Sequence, residues 1–139
     1  MNRFLMVTTM ALGLFAAGCS DSGDTRLIGK QTPDVSSGKM TPEILWAFGR
    51  IGGVEVSPDG TRILYPVTYY SIKENKSNTE LFVMNTDGSG KRQITETAVG
   101  EGAAKWMKDG NHIAFLSSES GSRQLWMMKA DGSDRRQLT

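Results

Sequence analysis

Histidine and cysteine are nearly missing from this 139-residue chain, which holds one of each. A lone imidazole, His112, leaves a serine hydrolase only one possible general base, and no serine stands in the Gly-x-Ser-x-Gly turn that would hold a nucleophile beside it. Ser89 and Ser122 sit next to glycines at the wrong spacing, so no catalytic residue is assigned. His112 reads as a strand residue beside the Asp109-Gly110 turn. The single Cys excludes an internal disulfide. An excess of one charge is also lacking: Lys and Arg number 16 against 15 Asp and Glu, and setting Arg3 aside balances them. Such a chain has no field to draw nucleic acid. Long hydrophobic runs are scarce as well. The uncharged run at residues 4–17 is shorter than the roughly 20 residues that cross a bilayer and suits a signal-peptide core.

What the sequence does contain is a repeat. Val54-Glu55-Val56-Ser57-Pro58-Asp59-Gly60 is echoed by Ala104-Lys105-Trp106-Met107-Lys108-Asp109-Gly110, 50 positions later. Leu81-Phe82-Val83-Met84-Asn85-Thr86-Asp87-Gly88-Ser89 is echoed by Leu125-Trp126-Met127-Met128-Lys129-Ala130-Asp131-Gly132-Ser133, 44 positions later. The first copy therefore carries six extra residues between its halves. Short strands joined by Asp-Gly turns at a period of roughly 40–50 residues mark β-propeller blades.

The chain divides into five parts. Residues 1–18 form a signal peptide ending on Ala16-Ala17-Gly18 before Cys19, which resembles the lipobox of bacterial lipoproteins and makes Cys19 the expected lipidation site. Asp21 and Asp24 just beyond resemble the export tag of surface lipoproteins in some Gram-negative bacteria. Residues 19–40 read as a flexible tether of Ser, Gly, Asp and Lys. Residues 41–50 give a short capping helix, with Thr41 as cap, Pro42 in the first turn and Gly49 as its stop. Residues 51–99 are blade one and residues 100–139 blade two. In blade one, residues 70–79 read as a polar loop that absorbs the insertion, and Pro66 as the mark of a bulge or an unpaired edge. Trp106 and Trp126 read as core. Lys91-Arg92 and Arg135-Arg136 read as a solvent-facing charged edge that blocks strand pairing. The fold class is all-β: an incomplete propeller of two four-stranded blades behind a leader, a tether and one short helix.

Met40-Thr41-Pro42-Glu43-Ile44-Leu45-Trp46, followed by Val56-Ser57-Pro58-Asp59-Gly60 and an Ile63-Leu64-Tyr65 strand, resembles the start of bacterial S9 peptidases, the prolyl oligopeptidase family. The Asp-Gly-Ser endings closed by Arg-Gln-Ile-Thr and Arg-Gln-Leu-Thr are similar to the propeller repeats of that family and of TolB. The resemblance implies a parent with a C-terminal α/β-hydrolase domain and a Ser-Asp-His triad, in which the propeller orients peptide substrates. The lipobox-like stretch and the acidic residues after it imply a lipid-anchored location in the cell envelope of a Gram-negative bacterium. Missing blades and a hydrolase domain are the implied intramolecular partners, and the 139-residue product is expected to be catalytically silent. A TolB-like lipoprotein that binds proteins, and a small complete β protein, are the other readings. No cofactor or metal is expected. Gly88-Ser89-Gly90-Lys91 lacks P-loop spacing, and Asp131-Gly132-Ser133-Asp134 lacks the loop-closing Glu of a calcium site.

Overall fold

The computed structural model describes residues 28–139. Cys19, the leader and the start of the tether lie outside the described residues. The chain enters through a one-and-a-half-turn helix, α1 (Pro42–Ala47), one of whose free N–H groups is satisfied by Thr41: its hydroxyl accepts from the Ile44 N–H at 3.3 Å. The helix packs on the first sheet by burying Ile44 and Ala47, while Leu45 and Phe48 stay about half exposed.

Two antiparallel sheets follow. In the first, β3 (Arg62–Ser71) and β4 (Lys76–Asn85) form a ten-pair hairpin. β5 (Arg92–Gln93) closes the outer edge, and two short pieces, β1 (Arg50–Ile51) and β2 (Glu55–Val56), share the inner edge of β3. The second sheet runs β6-β7-β8-β9, with β6 (Gly102–Trp106), β7 (His112–Ser117), β8 (Gln124–Lys129) and β9 (Arg136–Gln137). With β1 and β2 counted as one broken strand, each sheet has the four positions of a propeller blade, as the repeat predicted. Four Asp-Gly turns set the register, their glycines at Gly60, Gly88, Gly110 and Gly132 all holding φ between 67° and 89°. Gly132 is required twice over, because a Cβ there would lie 2.6 Å from the Ile94 carbonyl oxygen of the other blade.

One expectation is corrected, and the other, a bulge or an unpaired edge at Pro66, is narrowed to the second. Most of the polar stretch 70–79 is strand: Tyr69, Tyr70 and Ser71 pair with Asn78, Ser77 and Lys76, and only Ile72, Lys73, Glu74 and Asn75 turn. The six extra residues lengthen the hairpin by four pairs beyond the place where blade two turns, and the ladder's hydrogen bonds outweigh a loop-like composition. Pro66 makes no bulge, since it pairs in register with Leu81. Its carbonyl accepts from the Gly52 N–H at 3.0 Å, so its missing N–H faces the gap between β1 and β2, where the inner strand is already broken.

The blades pack face to face. Leu64, Leu81, Val83 and Ile94 of the first interleave with Ile113, Phe115, Met128 and Ala130 of the second, and five of these eight are no more than 1% exposed. Trp106 and Trp126, expected in the core, pack half-buried against this cluster. The indole N–H of Trp106 donates to the Glu55 carbonyl at 3.3 Å, and Lys105 pairs with Glu55, so the inner strands are also joined across the blades.

Candidate functional site

Polar chemistry concentrates in two places, one sealed and one open. The sealed place lies under the connection from β5 to β6. Thr95 accepts the Leu81 N–H at 2.8 Å and donates to the Glu80 carboxylate at 2.7 Å; Asn78 and the Thr97 N–H reach the other carboxylate oxygen at 2.7 and 3.1 Å. Glu80 is 3% exposed, and burial is the main reason its pKa is pushed up to about 7; the hydrogen bonds oppose that shift and Glu101 adds to it. The Glu101 side chain is fully buried and is held by Arg135 at 2.7 Å, which also reaches Glu119 at 2.7 Å. The Arg135 guanidinium lies over Phe115 and Trp126, at 4.8 and 5.3 Å from the ring centres.

This corrects the expected solvent-facing basic edge at one residue. Lys91, Arg92 and Arg136 are exposed, Arg92 while donating to the Ala130 carbonyl of the other blade at 2.9 Å, but Arg135 is an interior tie. A guanidinium has a flat face for aromatic rings and a fork for oxygens, so it serves inside a blade junction where an ammonium would not.

The open place surrounds α1 and the projecting end of the β3–β4 hairpin. Trp46 and Tyr70 meet edge to face at 4.9 Å, and Arg50 lies against both. Hollows of about 480 and 350 Å³ flank this pair, the first bounded by Ile72, Asn75, Lys76 and Ser77, the second by Gln31, Glu43 and Lys73. On the blade-one face turned away from blade two, Tyr65 stacks on Phe82 at 5.7 Å beside Val67, Tyr69 and Met84. An apolar groove of about 720 Å³ runs over them. The tether is not wholly free there: Ile28 packs on this cluster, and Gln31 donates to the Tyr70 carbonyl at 2.8 Å.

The remaining sequence candidates fall into turns. His112 Nδ1 lies 2.6 Å from Asp109, whose other oxygen accepts the Asn111 and His112 N–H groups. The His112 bond is the first of the causes holding the Asp109 carboxyl below its usual range. Asp59 does the same work in blade one through Ser57 and Thr61, so the His-Asp contact is a variant of a turn lock. Ser89 and Ser133 donate backbone N–H bonds to Asp87 and Asp131, as hairpin turns require. Among the described residues no group of three or more His, Cys, Asp or Glu is placed to hold a metal. What sequence reasoning missed is the pair of buried carboxylates; for Glu80 the signal was Thr95, the threonine that closes its repeat.

A two-sheet stack of this kind is a pair of adjoining β-propeller blades, and proteins of known structure and activity carry its counterparts. No family model matches the chain. Its homologues are S9 peptidases: it is 39% identical over 135 residues to dipeptidyl-peptidase 5 of Porphyromonas endodontalis, a match taking in 97% of this chain. The chain spans only 19% of that relative's length. An acylaminoacyl peptidase of Pyrococcus horikoshii shares the fold, with a TM-score of 0.56 and 18% identity over 68% of this chain and 14% of its own. A putative TolB from Agrobacterium tumefaciens is 25% identical with a TM-score of 0.51, covering 62% of this chain and 29% of its own.

Proposed function

We propose that this chain is the propeller part of a lipid-anchored S9-type serine peptidase, the part that admits and orients peptide substrates at the mouth of the hydrolase. The observation that carries the reading is the 39% identity to a dipeptidyl-peptidase that runs through the leader, tether, helix and both blades together. A propeller alone supplies no nucleophile here, so the hydrolysis belongs to a domain with its own Gly-x-Ser-x-Gly. The test is to express the longest reading frame that contains residues 1–139 and treat it with a fluorophosphonate probe. Labelling at one serine of such a motif is expected. A product that never labels sinks the peptidase reading and leaves the TolB-like alternative, a protein-binding propeller at the envelope, which the 25% identity to the putative TolB favours.

Anchoring is the second element of the proposal and rests on Ala16-Ala17-Gly18-Cys19. Acyl chains on Cys19 would hold the protein at the membrane, each buried methylene contributing about 0.8 kcal/mol. Cells fed a clickable fatty acid should label the wild type, and Cys19→Ala should move the protein to the soluble envelope fraction. Unchanged fractionation without labelling overturns it.

A further inference from the structure

Trp46, Arg50 and Tyr70 come from three elements, α1, β1 and β3, and meet where the hairpin projects. The Arg50 guanidinium carbon is 4.3 Å from the centre of the Trp46 ring and 5.1 Å from that of Tyr70. A guanidinium laid on a ring keeps the N–H groups of its edge for a partner in its own plane. Among the described residues Arg50 has no ion pair.

The blade does not need this trio, and the second blade serves as the control. Residues that build the blade recur at matched places: Asp59 with Asp109, and Thr95 with Thr139. Arg50, in contrast, is matched by Gly100, 50 positions on, and the blade-two hairpin turns before any counterpart of Tyr70. The hollow of about 480 Å³ beside the trio has an apolar side at Trp46, Tyr70 and Ile72 and a cation, Lys76, on its rim. Ile72 is 52% and Trp46 37% exposed, a combination of an apolar wall and a cation with no ion pair among the described residues that a peptide end with a hydrophobic residue matches.

We propose that Arg50, braced by Trp46 and Tyr70, is a carboxylate-recognition site for peptides, with the hollow beside Tyr70 and Ile72 receiving the apolar side chain next to the carboxylate. The carboxylate comes from a peptide C-terminus or from an acidic side chain; both present the same two oxygens to the guanidinium fork. This rests on the reading of the chain as a substrate-handling propeller part, and it names the substrate feature that part would read.

The experiment uses the full chain in detergent and three fluorescein-labelled hexapeptides followed by anisotropy. One ends in Ala-Leu with a free carboxylate, one is its amide, and one is an amide with Asp before the Leu. The free acid or the Asp peptide is expected to bind at least tenfold more tightly than the neutral amide, and which of the two does so identifies the source. Arg50→Ala should remove that preference, and Arg50→Lys should recover less than a fifth of it. Lys91→Ala, a cation elsewhere on blade one, should leave it intact. Equal binding of all three peptides overturns the proposal. So does an Arg50→Ala protein that melts lower but keeps its preference, which would make the trio a clamp for α1. Should Arg50→Ala fail to fold, Arg50→Gln, planar but uncharged, decides in its place. A chain that prefers carboxylates while its longer gene product never labels with fluorophosphonate would keep this site and lose the peptidase reading. The opposite pair of results would do the reverse.

Discussion

Glu80 and Gln124 hold the same place in successive blades: each accepts the hydroxyl proton of the threonine that closes its repeat, from Thr95 at 2.7 Å and from Thr139 at 2.8 Å. Both threonines also accept a backbone N–H, from Leu81 at 2.8 Å and from Leu125 at 3.0 Å. The latch is the same, but in one blade it contains a titratable group and in the other a neutral amide.

Glu80→Gln should therefore stabilise the protein at neutral pH. Burial raises the Glu80 pKa to about 7 in the folded chain, above the 4.5 of the unfolded one. Its favourable contribution is thus complete below pH 4.5 and is lost as the pH rises through 7. Urea melts of the two proteins should nearly coincide at pH 4.5. By pH 8 they should separate in favour of the variant by about 1–3 kcal/mol, less than the whole shift would give because the site relaxes and admits water. A gap that is independent of pH would show that Glu80 does not titrate in this range.

Thr95→Val keeps the volume and deletes the hydroxyl. The buried Leu81 N–H and the Glu80 carboxylate each lose a partner, which should cost about 2–3 kcal/mol. The equivalent Thr139→Val acts at an exposed site and should cost under about 1 kcal/mol. Equal costs would mean that burial of the first latch does not set its strength.

Arg135→Met leaves the fully buried Glu101 carboxylate without its cation and should destabilise by about 3–5 kcal/mol. Adding Glu101→Gln should recover much of that loss, because a neutral amide is left beside Thr97 and Ser117. The double-variant cycle measures this coupling. If the two losses simply add, Arg135 acts by covering Phe115 and Trp126 and not by neutralising Glu101.

Phe115→Ala opens a void at the centre of the blade junction, where the ring is 0% exposed. A loss of about 3–5 kcal/mol is expected, enough to unfold the chain or convert it to a state that binds a hydrophobic dye. Leu125→Ala, at 36% exposure on the opposite face of the same sheet, should cost under about 2 kcal/mol.

Much of this architecture is legible in the sequence, because a repeat states its own boundaries. The Asp-Gly turns fall where they recur, His112 is the strand residue beside a turn that it reads as, and Thr41-Pro42-Glu43 starts the helix. The hairpin extension is not legible, because Lys, Ser, Asn and Thr over residues 76–79 favour a loop locally while the ladder from Arg62 to Ser71 recruits them as strand. Nor are the fates of neighbouring basic residues: Arg135 points into the junction and Arg136 away from it, a difference made by strand alternation at one position. The Arg50 platform joins residues 46, 50 and 70, and the helix, the inner strand and the unforeseen end of the hairpin had to be placed before they could meet.

The ten-pair hairpin also bears on how the chain comes off the ribosome. Its partners are joined by only four residues, and such local pairing closes in about 1–10 μs, far faster than residues are added. Once Asn85 has emerged, the hairpin places Leu64, Leu81 and Val83 on one surface before any of blade two has been made. Ile113, Phe115 and Met128 then arrive at a surface already in register, so each new blade is laid on the last, and the fold grows in the order of translation.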